Sequence, residues 1–214
     1  MEGLKELIEG YKRFYKKSFE KKQELFVNLS NEGQSPKFLV ISCCDSRVHP
    51  EQIMDANPGD IFVIRNVANL VPVNEPDGKS HGTSAAMEFA VKHLKVKHII
   101  VLGHSQCGGI RTLMEGEHFS SDYSFLDPWV EIAKSAKLSV LEKHKDMSFE
   151  EQCSYCEKIS IKYSLNNLMT FPWIKEQCES GELKIHGWYF DIKTGALLGQ
   201  QSGEFIPVDE LIPK

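Results

Sequence analysis

The chain has 214 residues, 41% hydrophobic and 26% charged, with a formal net charge of −5. That is enough apolar material for the core of one domain, so neither a disulfide nor a metal is needed merely to fold it. The acidic balance and the absence of a basic tract exclude nucleic acid as the main partner, and no stretch of about 18 apolar residues is present to span a membrane. The opening Met1-Glu2-Gly3-Leu4-Lys5-Glu6 carries no apolar secretory signal. Six cysteines without such a signal predict reduced thiols in the cytoplasm, some of them metal ligands, rather than a disulfide framework.

Leu4, Ile8, Tyr11, Tyr15 and Phe19 recur at steps of three and four, with Lys12, Lys16, Lys17, Lys21 and Lys22 among them. This spacing predicts an amphipathic helix near residues 3–29, within an N-terminal helical arm of residues 1–32. Its apolar stripe packs on its own domain or embraces a partner subunit. Residues 38–41 (FLVI) then read as a buried strand, 48–54 as a short helix, Pro58-Gly59-Asp60 as a turn and 61–64 as a second strand. Residues 71–81 form a loop. Ala86, Phe89, Ala90 and His93 give 83–94 helical spacing, 98–102 reads as a third strand, and Gly108-Gly109 opens a helix containing Ile110, Leu113 and Met114. Strands alternating with helices in this way predict βαβ units and a parallel sheet. Sites in such sheets gather at the carboxyl ends of the strands.

Two helical stretches follow, 128–145 and 148–169. The second opens with a Ser148…Glu151 capping box and is broken by Pro172. Residues 183–191 alternate like a strand, and Lys193-Thr194-Gly195 turns into 196–200, an antiparallel edge. Trp173 and Trp188 read as core. The expected architecture is one α/β domain over residues 1–214: a central, mostly parallel sheet flanked by helices, with the N-terminal amphipathic helix and an antiparallel edge strand.

The chemistry lies just after two of the strands. Cys43 opens Cys43-Cys44-Asp45-Ser46-Arg47, and the third strand leads into His104-Ser105-Gln106-Cys107. Two thiolates and one imidazole at strand ends can hold a zinc ion and leave one position open, as catalytic zinc requires. Asp45 and Arg47 stand two residues apart, on one face of an extended segment. The carboxylate can orient a water on the metal or ligate the metal itself; the planar guanidinium can hold it off by two hydrogen bonds. Gly108-Gly109 lets the backbone come close to the site.

Cys43-x-Asp45-Ser46-Arg47, with His104-x-x-Cys107-Gly108-Gly109 beginning 61 positions after Cys43, resembles the β-class carbonic anhydrases. The resemblance extends through Gly59-Asp60-x-Phe62-Val63-x-Arg65-Asn66-Val67-Ala68-Asn69, the helix at 82–90, and His186-Gly187-Trp188-x-x-Asp191. It implies a parallel α/β fold assembling as a homodimer or higher homo-oligomer, and reversible hydration of CO2 to bicarbonate and a proton through a zinc-bound hydroxide. Carried over by position, Cys43, His104 and Cys107 are the ligands of one Zn2+ per chain, Asp45 and Arg47 the orienting dyad, and Gly108 a backbone donor to substrate. Gly33-Gln34-Ser35-Pro36-Lys37 resembles the plant-type subgroup, in which Gln34 would reach the CO2 site. Phe62, Val67 and Phe89 would wall an apolar pocket, some from the neighbouring subunit. Phe89 stands where tyrosine is common in that subgroup, and Val40 where the other subgroup has a tryptophan of its inhibitory bicarbonate site. No closure in which Asp45 swings onto zinc is therefore expected.

Two rival readings share these residues: hydrolysis of carbonyl sulfide or carbon disulfide on the same scaffold, and a non-enzymatic zinc-stabilised interaction module with Asp45 as fourth ligand. His49, His81 and His118 are candidates for carrying the proton to solvent, though solvated histidines explain them equally. Cys153-x-x-Cys156 lies inside a helical stretch without a second pair and reads as structural. Cys44 should face away from its neighbour Cys43, and Cys178 has no evident partner.

Overall fold

The computed structural model describes residues 2–116 and 124–211. Six strands form one sheet: β1 (Phe38–Cys43), β2 (Ile61–Asn66), β3 (His98–His104), β4 (Lys184–Phe190), β5 (Leu197–Gln201) and β6 (Glu204–Pro207), in the order β2-β1-β3-β4-β5-β6. β2, β1, β3 and β4 run parallel; β5 and β6 add an antiparallel edge. Strand β6 goes beyond the sequence reading. Ser202 and Gly203, both at positive φ (51° and 94°), make the two-residue turn that folds it back.

The two faces of the sheet are covered unequally. On one, Leu39, Ile41, Ile99 and Val101 are fully buried. They pack with residues of α4 (Gly82–Glu88), α8 (Phe149–Leu168) and α9 (Pro172–Glu179). On the other, the buried Val40, Ile100 and Leu102 are surrounded by half-buried Phe38, Ile53, Met54, Ile61, Trp188 and Phe190. Trp173 also packs half-buried, against the first core, so the tryptophans flank the interior rather than fill it. Ser148 caps α8 by the expected capping box. Pro172 does more than end that helix, because it supplies the first turn of α9, where its missing N–H costs nothing.

The N-terminal arm is not one helix. α1 (Glu2–Phe14) passes through a π-turn (Tyr15–Phe19) and a 3-10 turn to Lys22, which leaves helical geometry (φ −113°, ψ 18°), and α2 (Gln23–Glu32) follows. Phe14, Tyr15, Phe19 and Phe26 cluster at this bend, with Tyr15 stacked on Phe19 and the Phe19 and Phe26 ring centroids 5.0 Å apart. Local aromatic packing breaks the helix where the periodicity alone does not. Among the described residues, no side chain of α1 joins a buried cluster, and Leu7 is 74% and Tyr11 61% exposed.

Candidate metal centre

Parallel pairing of β1 with β3 (Ser42 beside Leu102) puts Cys43 and His104 at the carboxyl ends of adjacent strands. The chain then turns through Gln106, in a left-handed conformation (φ 57°), and returns Cys107 to the same place at the start of α5 (Gly108–Glu115). The ligand atoms of Cys43, His104 and Cys107 all lie within 4.8 Å of one another, and all three residues are buried. Zinc held at about 2.0–2.3 Å from each would need separations of about 3.5 Å, so at most a modest closure would be required.

The donor set suits a cation. His104 Nδ1 donates to the Ser105 carbonyl (2.8 Å), which leaves Nε2 as the acceptor nitrogen; that atom is buried and has no hydrogen-bond partner. Such an orphan is costly unless a ligand satisfies it. The two thiols are opposed in their titration: the neighbouring Cys107 lowers the Cys43 thiol against the cost of burial, and Cys43, with burial, pushes Cys107 up. Amides of Ile110 and Gly109 in the first turn of α5 point at Cys107 and favour its thiolate. Burial opposes protonation of His104, and the neighbouring Cys43 outweighs it. A divalent cation would favour the deprotonated thiols and the neutral imidazole, and Cys43, His104 and Cys107 are the residues that would hold it.

Beside the ligands, Arg47 grips Asp45 bidentately, Nε to Oδ1 at 3.0 Å and Nη2 to Oδ2 at 2.8 Å, and the Arg47 amide adds a bond to Oδ1 (2.9 Å). These bonds hold the Asp45 carboxyl well below the usual carboxylate range, against a smaller cost of burial. Arg47 is itself tied to the Gln106 carbonyl by Nη2 (3.0 Å).

Val67 and Gly108 also sit at this end of the sheet. Val67 Cγ1 packs on Gly109, where an added Cβ would approach it to 2.6 Å, while a Cβ at Gly108 would meet nothing within 4 Å. Gly109 therefore serves close packing, and the open side belongs to Gly108. Trp129 Nε1 donates to the Val67 carbonyl (2.8 Å) and fixes that turn.

Gln34, Phe62 and Phe89 are not brought to the metal group within one chain. Phe62 pairs with Leu39, four residues before Cys43, or about 13 Å back along the sheet. Its ring neighbours Phe89 (centroids 6.0 Å), and Gln34 is exposed ahead of β1. Of the histidines considered for proton transfer, His49 lies 3.0 Å from the Ser46 carbonyl and His81 2.7 Å from Asp77; His118 lies outside the described residues. All six cysteines are free. Cys44 is exposed, opposite to buried Cys43, and Cys153 and Cys156 lie buried in α8.

Two residues to which the sequence reading gives no role hold the backbone around the metal group. Arg65, at the end of β2, donates to the carbonyls of Cys43 (3.0 Å), Asp45 (2.7 Å) and Val48 (2.8 Å), and so shapes the loop that carries ligand and dyad. Glu157 is 4% exposed and accepts from the Cys107 amide (3.0 Å) and the Tyr189 hydroxyl (2.7 Å). Its signal was a carboxylate within the inward stripe Cys153, Cys156, Glu157, Ser160, Ile161, Ser164 and Leu168.

With this geometry in place, comparison with known proteins is specific. The "Carbonic anhydrase" family model matches residues 38–197. Beta carbonic anhydrase 5, chloroplastic, of Arabidopsis thaliana is 46% identical over 168 residues, which are 78% of this chain and 55% of that protein. Beta carbonic anhydrase 6, mitochondrial, of the same plant is 43% identical over 196 residues, 91% of this chain and 66% of that protein. The chain thus spans a little over half and about two thirds of these relatives. The solved structure of the beta-carbonic anhydrase CcaA superposes with a TM-score of 0.90 at 32% identity, covering 97% of this chain and 92% of that one. A structure described as one of two tetrameric beta-carbonic anhydrases from Sordaria macrospora gives 0.82 at 29%, covering 95% of this chain and all (100%) of that one. The chain belongs to the carbonic anhydrase family, in the plant-type branch of its β class.

The same comparison corrects the cytoplasmic expectation, since these two relatives are named as chloroplastic and mitochondrial. The physical reason is that organellar transit segments are amphipathic, not apolar, so the lack of an apolar leader does not point to the cytoplasm. No described helix is long and apolar enough to cross a membrane.

Proposed function

We propose that this chain catalyses the reversible hydration of CO2 to bicarbonate and a proton, with one Zn2+ held by Cys43, His104 and Cys107. The observation that carries the reading is the buried, partnerless His104 Nε2 grouped with two thiols beside a carboxylate that Arg47 already occupies. When bound, zinc supplies Lewis acidity that lowers the pKa of a coordinated water. Asp45, ionised and fixed, accepts a hydrogen bond from the attacking water and turns its lone pair toward the carbon of CO2. Arg47 keeps both carboxylate oxygens engaged, so Asp45 orients water and does not close the fourth position. This argues against the four-ligand interaction module. Gly108, at the first position of α5, offers its amide to a substrate oxygen, and Val67 contributes apolar wall.

The 13 Å offset of Phe62 from the ligands supports a pocket completed between two copies, one giving the metal group and Val67, the other Gln34, Phe62 and Phe89. Homo-oligomerisation is further supported by the unpacked apolar stripe of α1 and by the tetrameric Sordaria relative. The test is stopped-flow CO2 hydration from pH 7 to 9 on zinc-loaded protein. Activity that rises with pH and is lost in Cys43→Ser, together with the zinc, supports the reading. A wild type that carries one zinc per chain yet is inactive at every pH rejects it.

A further inference from the structure

One peptide plane joins the orienting dyad to a buried carboxylate. The carbonyl of the Gln106–Cys107 peptide accepts from Arg47 Nη2 at 3.0 Å; the amide of the same peptide donates to Glu157 Oε1 at 3.0 Å. The other oxygen of Glu157 accepts from Tyr189 at 2.7 Å, and Ser160 and Cys156 are buried beside it on α8. The line runs unbroken from Tyr189 through Glu157, the peptide, and Arg47 to Asp45. Gln106 adopts a positive φ of 57°, a conformation that non-glycine residues take at a cost of about 1 kcal/mol or more. That peptide orientation therefore needs holding, and it is held at one end by the Arg47 guanidinium and at the other by the buried carboxyl group of Glu157.

We propose that Glu157 is a positioning residue for the metal centre: by clamping the Cys107 amide it sets the orientation of one ligand and, through the peptide carbonyl, the seat of Arg47 and hence of Asp45. Bonds in such a chain polarise one another, so a carboxylate on the N–H strengthens the carbonyl as an acceptor for Arg47. A cavity of about 390 Å3, lined by Ser105, Gln106, Cys107, Arg111, Cys153 and Glu157 among others, borders the clamp. The peptide thus has room to turn if the clamp is removed. The role deepens the proposed reaction and rests on that reading for its catalytic consequence, though not for its effect on the metal.

The test uses the full-length protein loaded with Co2+, whose visible spectrum reports ligand geometry without any activity measurement. Glu157→Ala is expected to shift the thiolate and ligand-field bands and to weaken cobalt binding about 10- to 100-fold. It should also lower kcat more than it raises KM. Glu157→Gln, which keeps an acceptor for the Cys107 amide, should restore binding to within a few-fold. Should the alanine variant fail to fold, Tyr189→Phe, which frees the far oxygen of Glu157, carries the test with a smaller band shift of the same sense. Wild-type spectra and affinity in a folded Glu157→Ala, or in Tyr189→Phe where that variant stands in, overturn the proposal. So does a glutamine variant as damaged as the alanine one, because then charge and not the clamp is at work. A shifted cobalt spectrum in a protein whose wild type hydrates no CO2 would sink the reaction and leave the clamp standing.

Discussion

Asp45 and Arg47 show how geometry changes what an ion pair can do. Exposed pairs contribute little to stability, yet this one is bidentate, reinforced by a backbone amide, and placed beside a metal group. Arg47→Lys keeps the charge and loses the fork; it should lower kcat about 100-fold, the scale of a misplaced catalytic group, with zinc content by atomic emission unchanged. Because Asp45 is ionised far below neutrality, the alkaline rise in activity should persist in shape in Asp45→Asn, at a much reduced level. Its depressed pKa also stabilises the fold at every pH above the ordinary carboxylate value of about 3.9, and that contribution is lost only as pH falls below it.

At the scale of elements, the packing of α5 on the Val67–Ala68 turn decides whether the first turn of that helix reaches the ligands. Gly109→Ala would place a methyl 2.6 Å from Val67 Cγ1 and 3.0 Å from the Ala68 Cβ. Overpacking of this kind costs about 1–3 kcal/mol, to be read as a lowered urea midpoint with zinc binding weakened in parallel. A second device joins β3 to β4: His98 Nδ1 and His186 Nε2 lie 3.0 Å apart, so one proton serves both rings. Burial lowers both pKa values, with Lys184 adding to each and His98 adding to His186. The folded state resists protonation while the unfolded imidazoles bind protons near pH 6.5. Stability should therefore fall as pH drops below about 6.5. Urea midpoints at pH 5.5 and 7.5 should differ in wild type and differ less in His186→Asn, which leaves only the His98 contribution.

For the whole molecule, the sheet is well covered on one face and half-covered on the other, and the amphipathic arm leaves its apolar side chains outside the buried clusters, which fits the proposed assembly. Leu7 and Tyr11 are one helical turn apart and exposed. Leu7→Glu with Tyr11→Glu should shift sedimentation toward smaller species. If the pocket is shared between copies, CO2 hydration should fall with dilution of this variant, although its ligands and dyad are untouched. Wild-type sedimentation in the double variant would remove the arm from the assembly.

By itself the sequence determined the mostly parallel sheet and its first five strands, and it singled out the three residues of the candidate metal group and the charged pair beside them. These are local signals: apolar runs of strand length, residue types that bind zinc, and two charges on one extended face. Strand β6, the break in the arm at Lys22 and the helix that starts at Pro172 were less legible, because a two-residue turn, an aromatic cluster and a proline at a first helical position each override periodicity. Only the tertiary structure showed that Arg65, which the sequence offers merely as one position of a motif, and Glu157 bond to the backbone around the candidate metal group. Arg65 lies 22 residues from Cys43 and Glu157 lies 50 from Cys107, and each acts through backbone groups that carry no sequence signature. The placing of Phe62 and Phe89 away from the ligands was likewise decided by strand register, since a β-strand fixes distance along its axis whatever the chemistry of its side chains.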